Sequence, residues 1–277
     1  MTAPLLPLLL EAAQLDNFLT EQSDNSQQLL ILHCSSHENY CRHHIPGAIH
    51  VAPQSLQIGT APAPGKIPAE EQLRSLFSGV GLRPEHHVVV CDDEGGGWAG
   101  RLIWTLDVLG HNHSSYLDGG IVSWVSEGYP VETQPNIATP SDFQATIDPT
   151  PIAEIADIVP RLGHADFAVW DARSPQEYAG SKALAKRNGH IPGAINIDWL
   201  ELIDRQRNMR LVDLQQLQQR LDTLGLSADK TIVTHCHSHH RSGLSYLAMK
   251  ILGYPNIKGY HGSWSEWGNR DDTPIEN

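Results

Sequence analysis

Apolar residues along this chain fall into two alternating textures: short unbroken runs rich in β-branched residues, and longer stretches in which apolar positions return every three or four residues. The runs are QLLILHC (28–34), HVVVC (87–91), FAVWDA (167–172) and TIVTHC (231–236). Their length and content suit strands buried on both faces. The helical stretches include AEEQLRSLFSGVG (69–81) and DLQQLQQRLDTLG (213–225), each closing on a glycine able to take the left-handed conformation of a helix C-cap. After the last run, Leu244, Leu247, Ala248, Ile251 and Leu252 recur at helical spacing. Strand, loop and helix in this order predict α/β domains, each with a mainly parallel sheet flanked by helices.

The pattern occurs twice. HHIPGAIHV (43–51) returns as GHIPGAINI (189–197), and 88–111 aligns without a gap on 231–254. Gly100 meets Gly243 and Leu109-Gly110 meets Leu252-Gly253; in the same register Gly119 falls on Gly262 and Trp124 on Trp267. A repeat this long is a duplicated domain with its own core rather than a solenoid unit. Between the copies, Pro130, Pro135, Pro140, Pro149 and Pro151 preclude a regular helix or a central strand. The expected organisation is a first domain over 1–133, a linker over 134–145 and a second domain over 146–277.

Composition narrows the function. At 277 residues, 40% hydrophobic and 18% charged, the chain has material for two ordinary soluble domains. A net charge of −13 argues against nucleic-acid and anionic-membrane partners, so an anionic substrate would need a local positive pocket. The N-terminal leucine cluster lacks a basic flank, is broken by Pro7 and ends at Glu11, which reads as mature protein rather than a leader. Cys34, Cys41, Cys91 and Cys236 form neither a CxxC pair nor a dense framework, pointing to a reducing, cytoplasmic setting.

The chemistry concentrates in HCHSHHRSG (235–243). A parallel strand delivers Cys236 to the carboxyl edge of a sheet, where the next helix presents free N–H groups and a positive dipole end. Those features lower a thiol pKa. Arg241 adds a permanent charge with a fork of donors suited to an oxyanion, and His237, Ser238, His239, His240 and Ser242 line the same loop. A zinc or copper site is the rival reading, disfavoured because adjacent residues of one tight loop rarely converge on a single ion. No metal or other cofactor is expected.

In order and twice over, the motifs D-x-R, EY, HIPGA, a cysteine loop with its helix, and G-S-W resemble tandem rhodanese-type sulfurtransferases. HCHSHHRSG with GYHGSWSEWGN (259–269) is similar to the bacterial thiosulfate sulfurtransferase branch. The resemblance spans essentially the whole chain. It implies that Cys236 takes the outer sulfur of thiosulfate as a persulfide, releases sulfite, and passes the sulfur to a thiophile such as cyanide or a thiol. It also implies that the N–H groups of 237–242 cradle the terminal sulfur, and that the first copy is inactive. Related phosphatase domains carry one more loop residue; the C-x4-R spacing here favours sulfur.

In the ungapped alignment Asp93 stands at the position of Cys236, Trp98 at that of Arg241, and three glycines at those of Ser238, His239 and His240. The first copy therefore cannot form a persulfide there. Cys34, Cys41 and Cys91 read as structural or incidental. Asp171 and Arg173 end a strand on the ligand side and are candidates for orienting the loop or binding substrate, with a structural salt bridge equally open; the first copy has His33 and Ser35 there. Trp199 is a candidate for the pocket mouth, and Trp264 and Glu266, which replace Ile121 and Ser123, for its entrance. His44 and His190 begin both HIPGA motifs, so a structural role is expected of them. Mercaptopyruvate sulfurtransferases, the nearest branch, typically resemble C-G-S-G-V at the loop and add arginines after the D-A-R segment. Here Glu177 and Tyr178 stand where such an arginine would be sought, leaving Lys186 and Arg187 as substitutes if their segment folds inward. A monomer is expected.

Overall fold

The computed structural model describes residues 6–21 and 28–277; residues 1–5 of the leucine-rich opening lie outside the described residues. The chain forms two compact units. The first takes the chain up to Leu56 together with Pro68–Ile147 and Asp204–Leu211; the second takes Gln57–Ile67, Asp148–Ile203 and Val212–Asn277.

The first unit contains β1 (Leu9–Leu10), α1 (Ala12–Glu21), β2 (Leu29–Cys34), α2 (His37–Arg42), β3 (Ile49–Val51), α3 (Glu70–Gly79), β4 (His87–Asp92), α4 (Gly97–Val108), β5 (Ser114–Leu117) and α5 (Gly120–Ser126). Its five strands run in the order β1-β5-β4-β2-β3, every neighbouring pair parallel. The second contains β6 (Ile152–Ala153), α6 (Ile155–Ile158), β7 (Phe167–Asp171), α7 (Pro175–Tyr178), β8 (Ile195–Asn196), α8 (Leu214–Thr223), β11 (Thr231–His235), α9 (Arg241–Ile251), β12 (Ile257–Tyr260) and α10 (Ser263–Trp267). Between β8 and α8, β9 (Ile203–Asp204) and β10 (Arg210–Leu211) pair as a two-stranded ribbon. The second sheet runs β6-β12-β11-β7-β8, again all parallel, which is the first sheet's order repeated.

The expected strands and helices form where the patterns place them. Central β4 is buried along its whole length, as an unbroken apolar strand covered on both faces should be. On α8, Leu217 and Leu221 are buried one turn apart; the Asp213 carboxylate caps the start by accepting from the Gln216 N–H (2.8 Å), and the chain leaves through Gly225 at φ 85°. Val169, Val233, Ile191, Tyr260 and Trp267 form the second unit's core, and Val89, Leu15, Leu117 and Trp124 the first's. Burying each such aliphatic side chain contributes roughly 1.5–3 kcal/mol.

Both HIPGA motifs do the same structural work. His44 stacks on Tyr40 (4.0 Å) and His190 on Tyr178 (3.7 Å), each ring Nδ1 within 3.0 Å of that tyrosine's carbonyl. Each histidine also forms a backbone bridge, to Glu132 and to Glu276 respectively. Residues 133–150 hold no helix or strand. Among the described residues no helix is long and apolar enough to cross a membrane.

Candidate active site

Cys236 lies just past β11, buried at the mouth of α9. Its sulfur receives the backbone N–H of Ser238, both the N–H and the hydroxyl of Ser242, and the guanidinium of Arg241. Burial pushes the thiol up, but the Arg241 charge and these donors outweigh it and hold the pKa below the ordinary 9.0. The pocket thus shifts the thiol toward its thiolate.

Arg241 is aimed rather than free. Its two terminal nitrogens donate to the two carboxylate oxygens of Glu177 on α7 (2.7 and 2.8 Å), and the Ser174 hydroxyl donates to the same carboxylate (2.9 Å). Burial alone would raise Glu177; Arg241 and Ser174 instead hold it down at about 2. The guanidinium is thus a fixed cation beside the sulfur.

The loop is braced from behind. Ser263, at φ 52°, accepts from the Cys236 N–H (3.3 Å), while the N–H groups of Trp264 and Ser265 donate to the carbonyls of Cys236 and His237 (both 3.0 Å). His239, at φ 56°, is buried with its Nδ1 2.8 Å from the Ser242 hydroxyl. A left-handed conformation costs a residue with a Cβ about 1–2 kcal/mol, so both side chains sit where glycine would be easier. The second unit's own segment Gln57–Ile67 also flanks this loop. A Cβ on Gly65 would fall 2.2 Å from the Ser238 carbonyl oxygen; Lys66 pairs with Glu154 and Glu266 (3.1 and 3.0 Å), and the Ile67 N–H donates to His261 (3.0 Å).

The histidines divide. His235 is buried, its Nδ1 3.1 Å from the Cys236 carbonyl and its Nε2 3.5 Å from Asp171; burial outweighs that carboxylate and lowers its pKa to about 4. Burial and then Arg241 also lower His237. Both are neutral at pH 7, so the positive field comes from Arg241 rather than from these two rings. His240 and Trp199 lie side by side, ring centres 5.7 Å apart, with Trp199 half-buried.

Asp171 and Arg173 turn toward each other. Arg173 Nε lies 2.9 and 3.0 Å from the two Asp171 oxygens, its terminal nitrogen bonds Asp171 and the Gly189 carbonyl, and its guanidinium lies 4.2 Å from the Trp264 ring centre. Both residues are buried. The entrance role expected of Trp264 gives way to packing, because its ring is taken up by Arg173 and the core. Glu266 is occupied by Lys66 and the Tyr260 hydroxyl (2.9 Å). Arg187 donates to the Thr273 and Trp267 carbonyls (2.9 and 3.1 Å), away from the cysteine loop. Among the described residues, no group of three or more His, Cys, Asp or Glu is arranged to hold a metal ion.

The first unit shows what replaced the site. Asp92, not the aligned Asp93, turns into the loop: its carboxylate accepts from Gly96 (2.9 and 3.0 Å), Ala99 (3.0 Å) and Glu94 (3.3 Å) N–H groups. Ala99 is the counterpart of Ser242, so an internal carboxylate consumes a donor that faces sulfur in the second unit. Burial and Glu94 raise Asp92 to about 7 against those donors. Asp93 bonds the Asn39 amide at the edge of a cavity of about 320 Å³ that Arg42, Ile121 and Val125 also line. By sheet register His33 is the counterpart of Asp171, since Leu32 and His33 lie opposite Ile49 and His50 as Trp170 and Asp171 lie opposite Ile195 and Asn196. Cys34 and Cys91 are buried with their thiols pushed well up by burial and then Asp92.

Fold and site together define a duplicated parallel α/β protein whose second unit sets a buried cysteine, hydrogen-bond donors and an arginine at a strand-to-helix junction. The chain belongs to the rhodanese-like family: the Rhodanese-like domain matches residues 14–127 and again 155–270. It is 48% identical to a thiosulfate sulfurtransferase of Azotobacter vinelandii, over 98% of this chain and 97% of that one. It is 46% identical to a thiosulfate sulfurtransferase of Pseudomonas aeruginosa with the same coverage, and 30% identical to the 3-mercaptopyruvate sulfurtransferase of Escherichia coli over 86% and 85%. The solved structure of an EanB variant with ergothioneine superposes with a TM-score of 0.87 at 21% identity, covering 98% of this chain and 70% of that one, which bears on the fold alone.

Proposed function

We propose that this protein is a thiosulfate sulfurtransferase. The Cys236 thiolate attacks the outer sulfur of thiosulfate, the S–S bond breaks with its electron pair leaving on sulfite, and a Cys236 persulfide forms. A thiophilic acceptor, cyanide or a thiol, then attacks the terminal sulfur and returns Cys236 as a thiolate, giving thiocyanate or a new persulfide. The observation that carries this reading is a buried thiol held below its ordinary pKa by Arg241 and the Ser238 and Ser242 donors. Such a thiolate is both a ready nucleophile and a good leaving group. The near full-length likeness to two thiosulfate sulfurtransferases supports it. His237, Ser238, His239, His240, Ser242 and Trp199 surround the path of the anion, while Asp171 and Arg173 support the loop through His235.

Mercaptopyruvate is the weaker donor reading: Glu177, where a carboxylate-binding arginine was sought, is tied to Arg241, and Arg187 is committed elsewhere. A phosphatase is weaker still, given the short C-x4-R loop. The free state of all four cysteines fits work in the reducing cytoplasm, as a monomer.

Incubating wild type and Cys236→Ser with thiosulfate, recording intact mass and then adding cyanide tests the proposal. Wild type should gain one sulfur atom, lose it to cyanide and yield thiocyanate, and the variant should do none of these. A wild type that gains no sulfur and makes no thiocyanate would end the thiosulfate assignment.

A further inference from the structure

His239 is an expensive choice for its position. It adopts φ 56°, and its counterpart in the first unit is Gly96, at φ 107°. The strain is retained where the ring has a partner, the Ser242 hydroxyl at 2.8 Å. That hydroxyl in turn bonds the Cys236 sulfur.

Proton counting then fixes the direction of the chain. A serine hydroxyl has one hydrogen. If Ser242 gives it to the His239 ring, the thiolate loses a donor; if Ser242 gives it to the thiolate, its oxygen must accept from His239 Nδ1–H. We propose that His239 is a positioning residue: by donating from Nδ1 to the Ser242 oxygen, it directs the Ser242 hydrogen onto the Cys236 sulfur. This rests on the sulfurtransferase reading for its role in turnover, but not for its effect on the thiol. No proton is transferred along the chain; two hydrogen bonds are held in one sense. When an acceptor removes the terminal sulfur, the departing Cys236 thiolate meets a hydroxyl already turned toward it.

The charged and titratable groups around this sulfur are Arg241, Glu177 behind it on α7, the Asp171–Arg173 pair at the end of β7, and the neutral His235 and His237. None of them orients Ser242. The neighbour that does is His239.

The test follows the Cys236 thiol itself, by the pH dependence of iodoacetamide alkylation read by peptide mass and by thiolate absorbance. His239→Gly removes the ring and suits the backbone, so it should fold at least as well as wild type while its thiol pKa rises by about one unit, the scale of a hydrogen bond to a charged group. His239→Asn, which tolerates the left-handed conformation and offers an amide donor, should recover most of the shift. In a Ser242→Ala background His239→Gly should add nothing. An unchanged alkylation profile in His239→Gly, or an equal shift with Ser242 absent, would overturn the proposal. If wild type forms no thiocyanate but the alkylation shifts appear as described, the sulfurtransferase reading fails and the role of His239 stands.

Discussion

The two units share a sheet order and a strand-to-helix loop, yet they fill that loop in opposite ways. In the first unit Asp92 folds its own carboxylate onto the N–H groups that the helix offers, and Trp98 stands where an arginine would be needed. In the second, the sheet register sets Cys236 where Asp92 stands, and the neutral His235 before it turns aside, leaving the donors and Arg241 to that sulfur. An anion cradle is therefore a property of the fold, and which anion occupies it is decided by one or two side chains. The left-handed positions tell the same story. Gly96 and Gly120 of the first unit become His239 and Ser263 in the second, and each replacement bonds either the cysteine or the serine beside it.

The harshest way to collapse that contrast is Arg241→Ala. It takes the fixed cation from the sulfur and leaves the buried Glu177 carboxylate without its partner. Sulfur transfer should fall about 10²–10³-fold, with a melting temperature several degrees lower; a variant within twofold of wild type in thiocyanate assays would refute the role given to Arg241. Next, Glu177→Gln should change the acid limb of stability. A carboxylate held at about 2 instead of 4.5 contributes stability that is present above pH 4.5 and fades as pH falls toward 2. Urea melts across that window should show a shallower acid decline in the variant.

Thiol reactivity sharpens the comparison more gently. Alkylation of Cys236 should reach half its maximal rate below pH 9.0 and slow as pH falls, while Cys34 and Cys91, pushed the other way by burial, stay unmodified in the folded protein. Peptide mapping after brief iodoacetamide treatment reads all three; early labelling of Cys91 would contradict the difference. The smallest effect expected is none: Asp93→Cys in a Cys236→Ser background should make no thiocyanate, because Asp92 still fills the donors at the mouth of the helix.

Much of this was legible in the letters. The duplicated register located the junction, and the exchange of Asp93 and Trp98 for Cys236 and Arg241 pointed to the second copy as the one that sets a thiol beside a cation. What the alignment could not convey was direction. It put Asp93 in the place of Cys236, but the strand pairing is shifted by one residue and brings Asp92 to that position. It noted Glu177 as a missing arginine, whereas its side chain reaches from another helix to hold Arg241. The edge strands β1 and β6 are two residues each, too short for any periodicity, and exist only because β5 and β12 are there to pair with. Ser263 had a signal, since it aligns with Gly120 next to the paired Gly119 and Gly262, but its bond to the Cys236 N–H depends on φ rather than on residue type.

The segment Gln57–Ile67 makes the repeat less divisible than its sequence suggests. A chain begun at residue 148 would carry the cysteine loop but lose Gly65 beside Ser238, the Lys66 bridges and the Ile67 N–H that donates to His261. Duplication supplied two copies of one plan, but the later copy has borrowed eleven residues from its twin, and inheritance by halves is no longer open to it.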